Sequence, residues 1–102
     1  MEAMILRLVR LPLRPEAVSA FMELYGRIHP ELERFPGCRS VTLLRDAADP
    51  CVLATLSYWD SLEELERYRR SALFARTWPQ VRALLVERAQ VWTYELDAPA
   101  PL

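Results

Sequence analysis

The residues best suited to chemistry on an organic molecule are one histidine and several aromatic side chains. His29 is the only histidine in the chain. Its imidazole has an ordinary pKa near neutrality, which makes it the natural candidate for a general base. Trp59 ends a predicted strand just before a helix start, where its ring could stack on an aromatic substrate. We therefore predict His29 and Trp59 as catalytic residues, the first for proton transfer and the second for stacking.

Four further aromatic residues could form the walls of a pocket around such a substrate. Tyr25 lies one helical turn before the histidine, and Tyr58 directly precedes Trp59. Phe74 and Trp78 lie four residues apart on the apolar side of a predicted helix. These four are the predicted substrate-binding residues. An aromatic residue in an apolar stripe is often plain core packing, and a histidine before a proline can be a partly exposed helix-end residue, so both interpretations stay open.

Two arginines lie within predicted strands, where a buried charge would need a partner. They are Arg7 in the first strand and Arg39 in the second. Either guanidinium could orient an anionic phenolate. Either could instead form a salt bridge between two chains, which is the simpler interpretation.

Missing residue types exclude several kinds of chemistry. All 13 positively charged residues are arginine, and the sequence has no lysine and no asparagine. Schiff-base catalysis on lysine, a Walker-type phosphate loop and a metal site with two histidines are therefore excluded. We expect no metal. The net charge of −1 provides no basic footprint for nucleic acid.

The composition fits one globular domain. The chain has 102 residues, of which 52% are hydrophobic and 26% charged. We expect a single domain over 1–102, with its core at 4–96 and a tail at 97–102. No apolar run approaches the roughly 18 residues of a membrane-spanning helix, and the N-terminus lacks the apolar core of a signal peptide. Since Cys38 and Cys51 suit a reducing compartment, we expect a cytoplasmic protein.

Hydrophobic patterning predicts four strands and two helical regions. The predicted strands are 4–11, 38–46, 51–59 and 89–96. An amphipathic helix follows Pro15, and a second helical region follows the third strand, with either Asp60 or Ser61 as its N-cap. Ser71 can cap a further helix. Pro30 and Pro79 fall inside the two apolar stripes and predict a kink or an end in each.

The order of these elements is β-α-β-β-α-β, the ferredoxin-like arrangement. It predicts an α+β fold with a four-stranded antiparallel sheet and helices on one face. Neither face of the predicted sheet is polar: in the third strand, Leu56 and Tyr58 point to one side, and Leu53 and Trp59 to the other. The second face therefore needs to be shielded from water. The simplest way is a homodimer, in which a second copy of the chain packs against it sheet to sheet.

The stretch 59–74 carries a family resemblance. It has a tryptophan at a strand end, a capped helix and then the pattern Ser-x-x-Phe, and the Pro36-Gly37 turn precedes a strand. With the order of elements, this resembles the antibiotic biosynthesis monooxygenase family of dimeric α+β barrel proteins. The resemblance implies a hydrophobic pocket in each subunit, where an aromatic phenol or quinol reacts with O2 without a cofactor and itself supplies the electrons.

Family-specific residues match only in part. The family's tryptophan after the third strand corresponds to Trp59. Members that oxidise polyketides use an asparagine just before it, and here Thr55, Ser57 and Tyr58 stand nearby instead. Members that degrade haem use a histidine in the last helix and an asparagine on the first strand, and this chain has neither. We therefore expect no haem and no other cofactor.

Two functions follow as hypotheses. The first is a cofactor-independent monooxygenase acting on a hydrophobic aromatic or quinol-type molecule. The alternative is a non-catalytic dimeric protein, small-molecule-binding or stress-associated, with the same pocket. The direction of the His29 side chain discriminates between them, because a histidine that points away from the pocket removes the only obvious base.

Overall fold

Four strands and three helices make up the part of the chain that this computed structural model describes, residues 3–96. The predicted tail at 97–102 lies outside the described residues. The elements are β1 Ile5–Pro12, α1 Val18–Glu33, β2 Cys38–Arg45, β3 Val52–Trp59, α2 Leu62–Arg69, α3 Ala72–Arg82 and β4 Gln90–Glu95, with a 3-10 turn, Pro15–Ala17, before α1. The second helical region thus consists of two helices.

The strands form one antiparallel sheet in the order β2-β3-β1-β4. β1 lies between β3 and β4, so Arg7 is opposite Ser57 on one side and Thr93 on the other. Together with the helices, this is the predicted ferredoxin-like α+β fold. The central position of β1 places its inward side chains at the middle of the sheet.

Serine side chains begin both of the later helices. The Ser61 hydroxyl accepts a hydrogen bond from the backbone N–H of Glu64 at 3.2 Å, so Ser61 and not Asp60 is the N-cap of α2. Asp60 instead forms an ion pair with Arg39 of the neighbouring strand β2. Ser71 caps α3 as predicted, accepting from the N–H of Phe74 at 3.1 Å.

Two prolines lie inside helices, and the part of the prediction in which a helix ends at each proline is wrong. α1 continues through Pro30 to Glu33, and α3 continues through Pro79 to Arg82. A proline inside a helix removes one backbone hydrogen bond, a cost of about 3 kcal/mol. Both prolines are exposed. Each helix is held beyond its proline by a buried residue, Leu32 or Val81, whose burial offsets that cost.

Buried side chains form two groups between the sheet and the helices. The first group is Val9, Leu11, Leu13, Phe21, Leu24, Leu53 and Val81. The second group is Ile5, Leu32, Val41, Trp59 and Leu65. Tyr25 and Ile28 of α1 pack against both groups. The middle of α1 therefore spans the junction between two core regions.

The other face of the sheet stays apolar and uncovered by the described residues. Its side chains include Tyr94, which is 55% exposed, and Leu44, which is 39% exposed. Leu8 at the centre of this face is opposite Leu56 and Trp92. The prediction that both faces of the sheet carry large apolar groups is therefore confirmed.

Two further features concern the cysteines and the lengths of the helices. Cys38 and Cys51 are both free, because they lie near opposite ends of the β2–β3 hairpin. Among residues 3–96, no helix combines the length and the apolar character needed to cross a bilayer.

Candidate functional site

A cavity lies between the inward face of the sheet and the three helices. Its volume is ≈ 80 Å³, and it is partly open to solvent. The lining residues are Arg7, Val9, Leu11, Phe21, Tyr25, Ile28, Leu32, Val41, Thr55, Ser57, Trp59, Tyr68, Phe74, Thr77, Trp78 and Val81. An apolar cavity of about 150 Å³ accommodates benzene. Even a single-ring ligand must therefore extend through the open side or displace wall side chains.

Aromatic side chains form two walls of this cavity. On α1, the rings of Phe21 and Tyr25 stack with centroids 6.0 Å apart. On the other side, Phe74 meets Tyr68 edge-on at 5.3 Å and stacks with Trp78 at 6.0 Å. All three contacts fall within the usual range for aromatic pairs. The cavity is thus suited to a flat, apolar ligand.

Trp59 forms part of the cavity lining and is also a central core residue. Its side chain is 0% exposed, and its ring stacks on Tyr68 at a centroid distance of 5.0 Å. The indole N–H donates to the Ser57 hydroxyl at 3.0 Å. Because that N–H already has an acceptor, Trp59 offers a ligand its ring surface and no free donor.

Three polar side chains of the cavity keep their protons at neutral pH. Desolvation raises the pKa of Tyr68 to about 12. Desolvation, and to a lesser extent the charge of Glu33, raises the pKa of Tyr25. Burial also lowers the pKa of Arg7 from its high ordinary value, but arginine remains protonated in proteins. The two phenols are hydrogen-bond donors in the neutral form, and Arg7 is a fixed positive charge.

His29 does not line the cavity. Its Nε2 lies 3.2 Å from the carbonyl oxygen of Val41, which can only accept, so this nitrogen carries the hydrogen. Its Nδ1 lies 3.3 Å from a carboxylate oxygen of Glu33. The ring packs against Tyr25 with centroids 5.2 Å apart. Both ring nitrogens are therefore engaged away from the cavity, and proton transfer by His29 stays a prediction that this arrangement does not favour.

Of the other predicted residues, the structure brings Tyr25, Trp59, Phe74 and Trp78 together around the cavity and leaves Tyr58 out. Tyr58 lies on the outer face of the sheet because side chains alternate along β3 and Trp59 already points inward. The placement of Tyr58 as a pocket wall is therefore corrected.

Sequence reasoning missed two residues of this cavity. Tyr68 is not among the predicted site residues, although its ring packs against those of Trp59 and Phe74. Arg7 was interpreted mainly as a salt bridge between chains. Its position between Ile5 and Val9 on the inward face of β1 was the available signal, because its neighbours within that strand face are apolar.

The described residues include a partly buried thiol and no cluster of metal ligands. Burial raises the pKa of the Cys38 thiol to about 11, so it is not an activated nucleophile. Within residues 3–96, no three His, Cys, Asp or Glu side chains come together as ligands for a metal ion.

Comparisons with known proteins agree with this fold. A conserved protein from Methanosarcina mazei is 22% identical, with a TM-score of 0.87 over 91% of this chain and 92% of its own. Rv0793 from Mycobacterium tuberculosis is 25% identical, with a TM-score of 0.85 over 96% of this chain and 100% of its own. SnoaB from Streptomyces nogalater, a cofactor-independent oxygenase solved in a substituted form, is 18% identical, with a TM-score of 0.84 over 98% and 99%.

Sequence comparison identifies the family of this chain. No curated protein matches the chain. The family model described as antibiotic biosynthesis monooxygenase matches residues 4–79, which include β1, the β2–β3 hairpin and most of the cavity walls. The chain therefore belongs to the antibiotic biosynthesis monooxygenase family.

Proposed function

We propose that this protein is a cofactor-independent monooxygenase that oxidises a hydrophobic, quinol-type aromatic molecule with O2. The observation that carries the proposal is the cavity with two aromatic walls, set between sheet and helices in a chain of this family. The description of SnoaB as a cofactor-independent oxygenase supports the same type of reaction. A monooxygenase-like role fits the family, and the quinol-type substrate is the finer part of the proposal.

The reaction draws its electrons from the substrate. For an anthrone, deprotonation gives an electron-rich anion that reduces O2 and forms a carbon–oxygen bond to it. Cleavage of the O–O bond then leaves one oxygen atom as a carbonyl and releases the other as water. The ring methylene loses two hydrogens and four electrons, and O2 gains all four. The protein has to hold the ring, exclude water and favour the anion.

We assign these tasks to particular side chains, and the described contacts support the assignment. Trp59, Phe74 and Trp78 provide ring surface for a flat substrate. Tyr25 adds a hydroxyl to the wall formed by α1. His29 packs on Tyr25 and is tied to Val41, so we assign it the positioning of that ring in place of direct contact with substrate.

A second function is favoured by the position of His29. With both imidazole nitrogens engaged outside the cavity, the site has no free neutral base among the predicted residues. A protein that binds an aromatic molecule without turning it over would need none. The alternative is therefore a non-catalytic binding protein with the same cavity.

Oxygen uptake with a panel of quinols and anthrones tests the proposal. We expect the wild-type protein to consume O2 faster than uncatalysed autoxidation, with formation of the quinone seen by absorbance. Trp78→Ala removes a cavity wall and should lower kcat/KM at least tenfold, the equivalent of about 1.4 kcal/mol. Leu62→Ala, on the exposed side of α2, is the control and should retain wild-type kcat/KM. Binding of the panel without oxygen uptake would favour the binding protein.

We also propose that the protein is a homodimer in which the outer faces of two sheets pack together. The support is the apolar surface around Leu8, Leu44 and Tyr94, which none of the described residues covers. A large exposed apolar patch of this kind is unusual on a monomer. A two-fold axis would bury the same face on both copies at once. The cavity lies on the opposite side of the sheet, so each chain would keep its own site.

A charge at the centre of that face should separate the two copies. Leu8→Arg would place two unpaired guanidinium groups in the interface, and we expect the dissociation constant of the dimer to rise at least tenfold. Sedimentation velocity over a concentration series measures the change. Met22→Arg, on the exposed side of α1, is the matched control and should sediment like wild type. A wild-type protein that sediments as a monomer at all concentrations would contradict the proposal.

A further inference from the structure

The inward face of β1 carries a charged side chain among apolar ones. Arg7 lies between Ile5 and Val9, and it is only 8% exposed. Its neighbours across the sheet, Ser57 and Thr93, are both neutral. Arg7 lines the cavity together with the aromatic walls. A permanent positive charge therefore lies in a site whose other lining residues are uncharged and mostly apolar.

This charge has no carboxylate partner among residues 3–96. The ion pairs of the described part of the chain all involve other side chains, and no hydrogen bond from the Arg7 guanidinium to a protein acceptor is formed there. The charges that act on it from a distance are Arg69, which opposes it, and Glu66, which favours it. A buried charge without a partner is costly, and arginine cannot escape the cost by losing its proton. The described residues therefore leave this charge available to a partner that enters the cavity.

A second unmatched group lines the same cavity from the side of α1. The hydroxyl of Tyr25 is buried and has no hydrogen-bond partner. A buried hydroxyl without a partner is uncommon and calls for an explanation. A tyrosine ordinarily keeps its proton at neutral pH, and burial raises the pKa of Tyr25 further. The cavity thus has two unused donors, one charged and one neutral, and aromatic walls around them.

We propose that the cavity binds an aromatic anion, a phenolate or a carboxylate, whose oxygen pairs with the guanidinium of Arg7 and accepts a hydrogen bond from the hydroxyl of Tyr25. The ring of the ligand lies against Phe74 and Trp78. A neutral ring alone would fill the apolar space and leave both donors unmatched. An anionic oxygen satisfies both, with the strength of a charge-assisted hydrogen bond.

This inference rests on the proposed function and gives Arg7 a part in it. The form of a quinol that reduces O2 is its anion. By stabilising the phenolate, Arg7 lowers the pKa of the bound phenol, so that the O–H bond breaks and the proton leaves to solvent water. A separate base is then unnecessary, which fits the placement of His29 outside the cavity. The site would select substrates that carry an ionisable oxygen.

Single-ring probes of similar shape test the preference for an anion. Binding of benzoate and toluene is followed by chemical-shift titration of the full-length protein. We expect benzoate to bind at least tenfold more tightly than toluene. Arg7→Met, which removes the charge and keeps much of the side-chain volume, should weaken benzoate binding at least tenfold and leave toluene binding unchanged. Tyr25→Phe should weaken benzoate binding by a smaller factor.

Controls separate this effect from a loss of structure. Arg39→Met removes an exposed arginine of β2 outside the cavity, and it should bind benzoate like wild type. Arg7→Lys keeps a positive charge and should retain more benzoate affinity than Arg7→Met. Equal binding of benzoate by wild type and a folded Arg7→Met protein would overturn the proposal, and so would equal binding of benzoate and toluene by wild type.

A coloured phenol distinguishes a phenolate ligand from a carboxylate ligand. 4-Nitrophenol shows its ionised form directly by visible absorbance. If the ligand is a phenolate, adding wild-type protein at slightly acidic pH should increase the ionised fraction, and Arg7→Met should not. If benzoate shows the anion preference and nitrophenol does not ionise, the ligand is a carboxylate.

The oxygen-uptake assay then separates this inference from the proposed function. If the protein prefers the anion but consumes no oxygen, the result supports the anion site and contradicts the oxygenase function. If Arg7→Met consumes oxygen as fast as wild type, the result contradicts the anion site and supports the oxygenase function.

Discussion

Replacing Trp59 by alanine is expected to lower the free energy of unfolding by about 3–5 kcal/mol, the range for a large aromatic side chain removed from a core. Trp59 is fully buried, stacks on Tyr68 and meets Phe35 edge-on at 6.3 Å. Its loss leaves a hole next to the existing cavity and removes the donor to Ser57. Urea unfolding followed by circular dichroism measures the change.

Two matched variants make this result specific. Trp59→Phe keeps an aromatic ring in the same place and should cost clearly less than Trp59→Ala. Trp78→Ala removes the same residue type from a partly exposed position and should also cost less. A Trp59→Ala protein within about 1 kcal/mol of wild type would contradict the role of this side chain as the centre of the second core group.

Because Trp59→Ala is expected to destabilise the fold, a change in its activity cannot be attributed to the site alone. A loss of oxygen uptake in Trp59→Ala would combine a missing ring surface with a weakened fold. Trp78 lines the same cavity without being fully buried, so its substitution reports on the site more cleanly. The tryptophan that the family resemblance emphasises is thus the less informative of the two for kinetics.

The fold was predictable from local signals that agree with one another. Alternating apolar residues, a turn at Pro36-Gly37 and serine caps before each later helix all favour the same element order. The errors came where tertiary packing overrides a local preference. Pro30 and Pro79 disfavour a helix by themselves, but buried residues on either side of each proline keep the helix continuous. No local pattern reveals how strongly distant residues pack against Leu32 or Val81.

The cavity was predictable only in part, because strand register decides which side chains share it. Tyr58 and Trp59 are adjacent aromatic residues at one strand end, and a shift of one position exchanges their faces. The pairing with β1 settles the matter by placing Trp59 opposite the inward Ile5. Arg7 illustrates the opposite case. Its inward position could be inferred from alternation, but the absence of a partner nearby depends on the packed helices.

The turn between α1 and β2 provides the second large stability effect, at Gly37. Gly37 has φ of +87°, a conformation that residues with a side chain rarely adopt. A Cβ at this position would lie 2.5 Å from the Cβ of Glu64 in α2. Gly37→Ala therefore combines backbone strain with overpacking, and we expect it to lower the free energy of unfolding by about 2–4 kcal/mol.

Gly26 gives this prediction a control of opposite sign, because both variants make the same chemical change. Gly26 lies in the exposed part of α1, and a Cβ there would meet no atom within 4 Å. Since alanine favours a helix interior over glycine, Gly26→Ala should raise the free energy of unfolding by about 0.5–1 kcal/mol. Urea unfolding of both variants measures the difference. Equal stabilities would show that α2 can move away from the turn, because only a displaced Glu64 leaves space for a side chain at position 37.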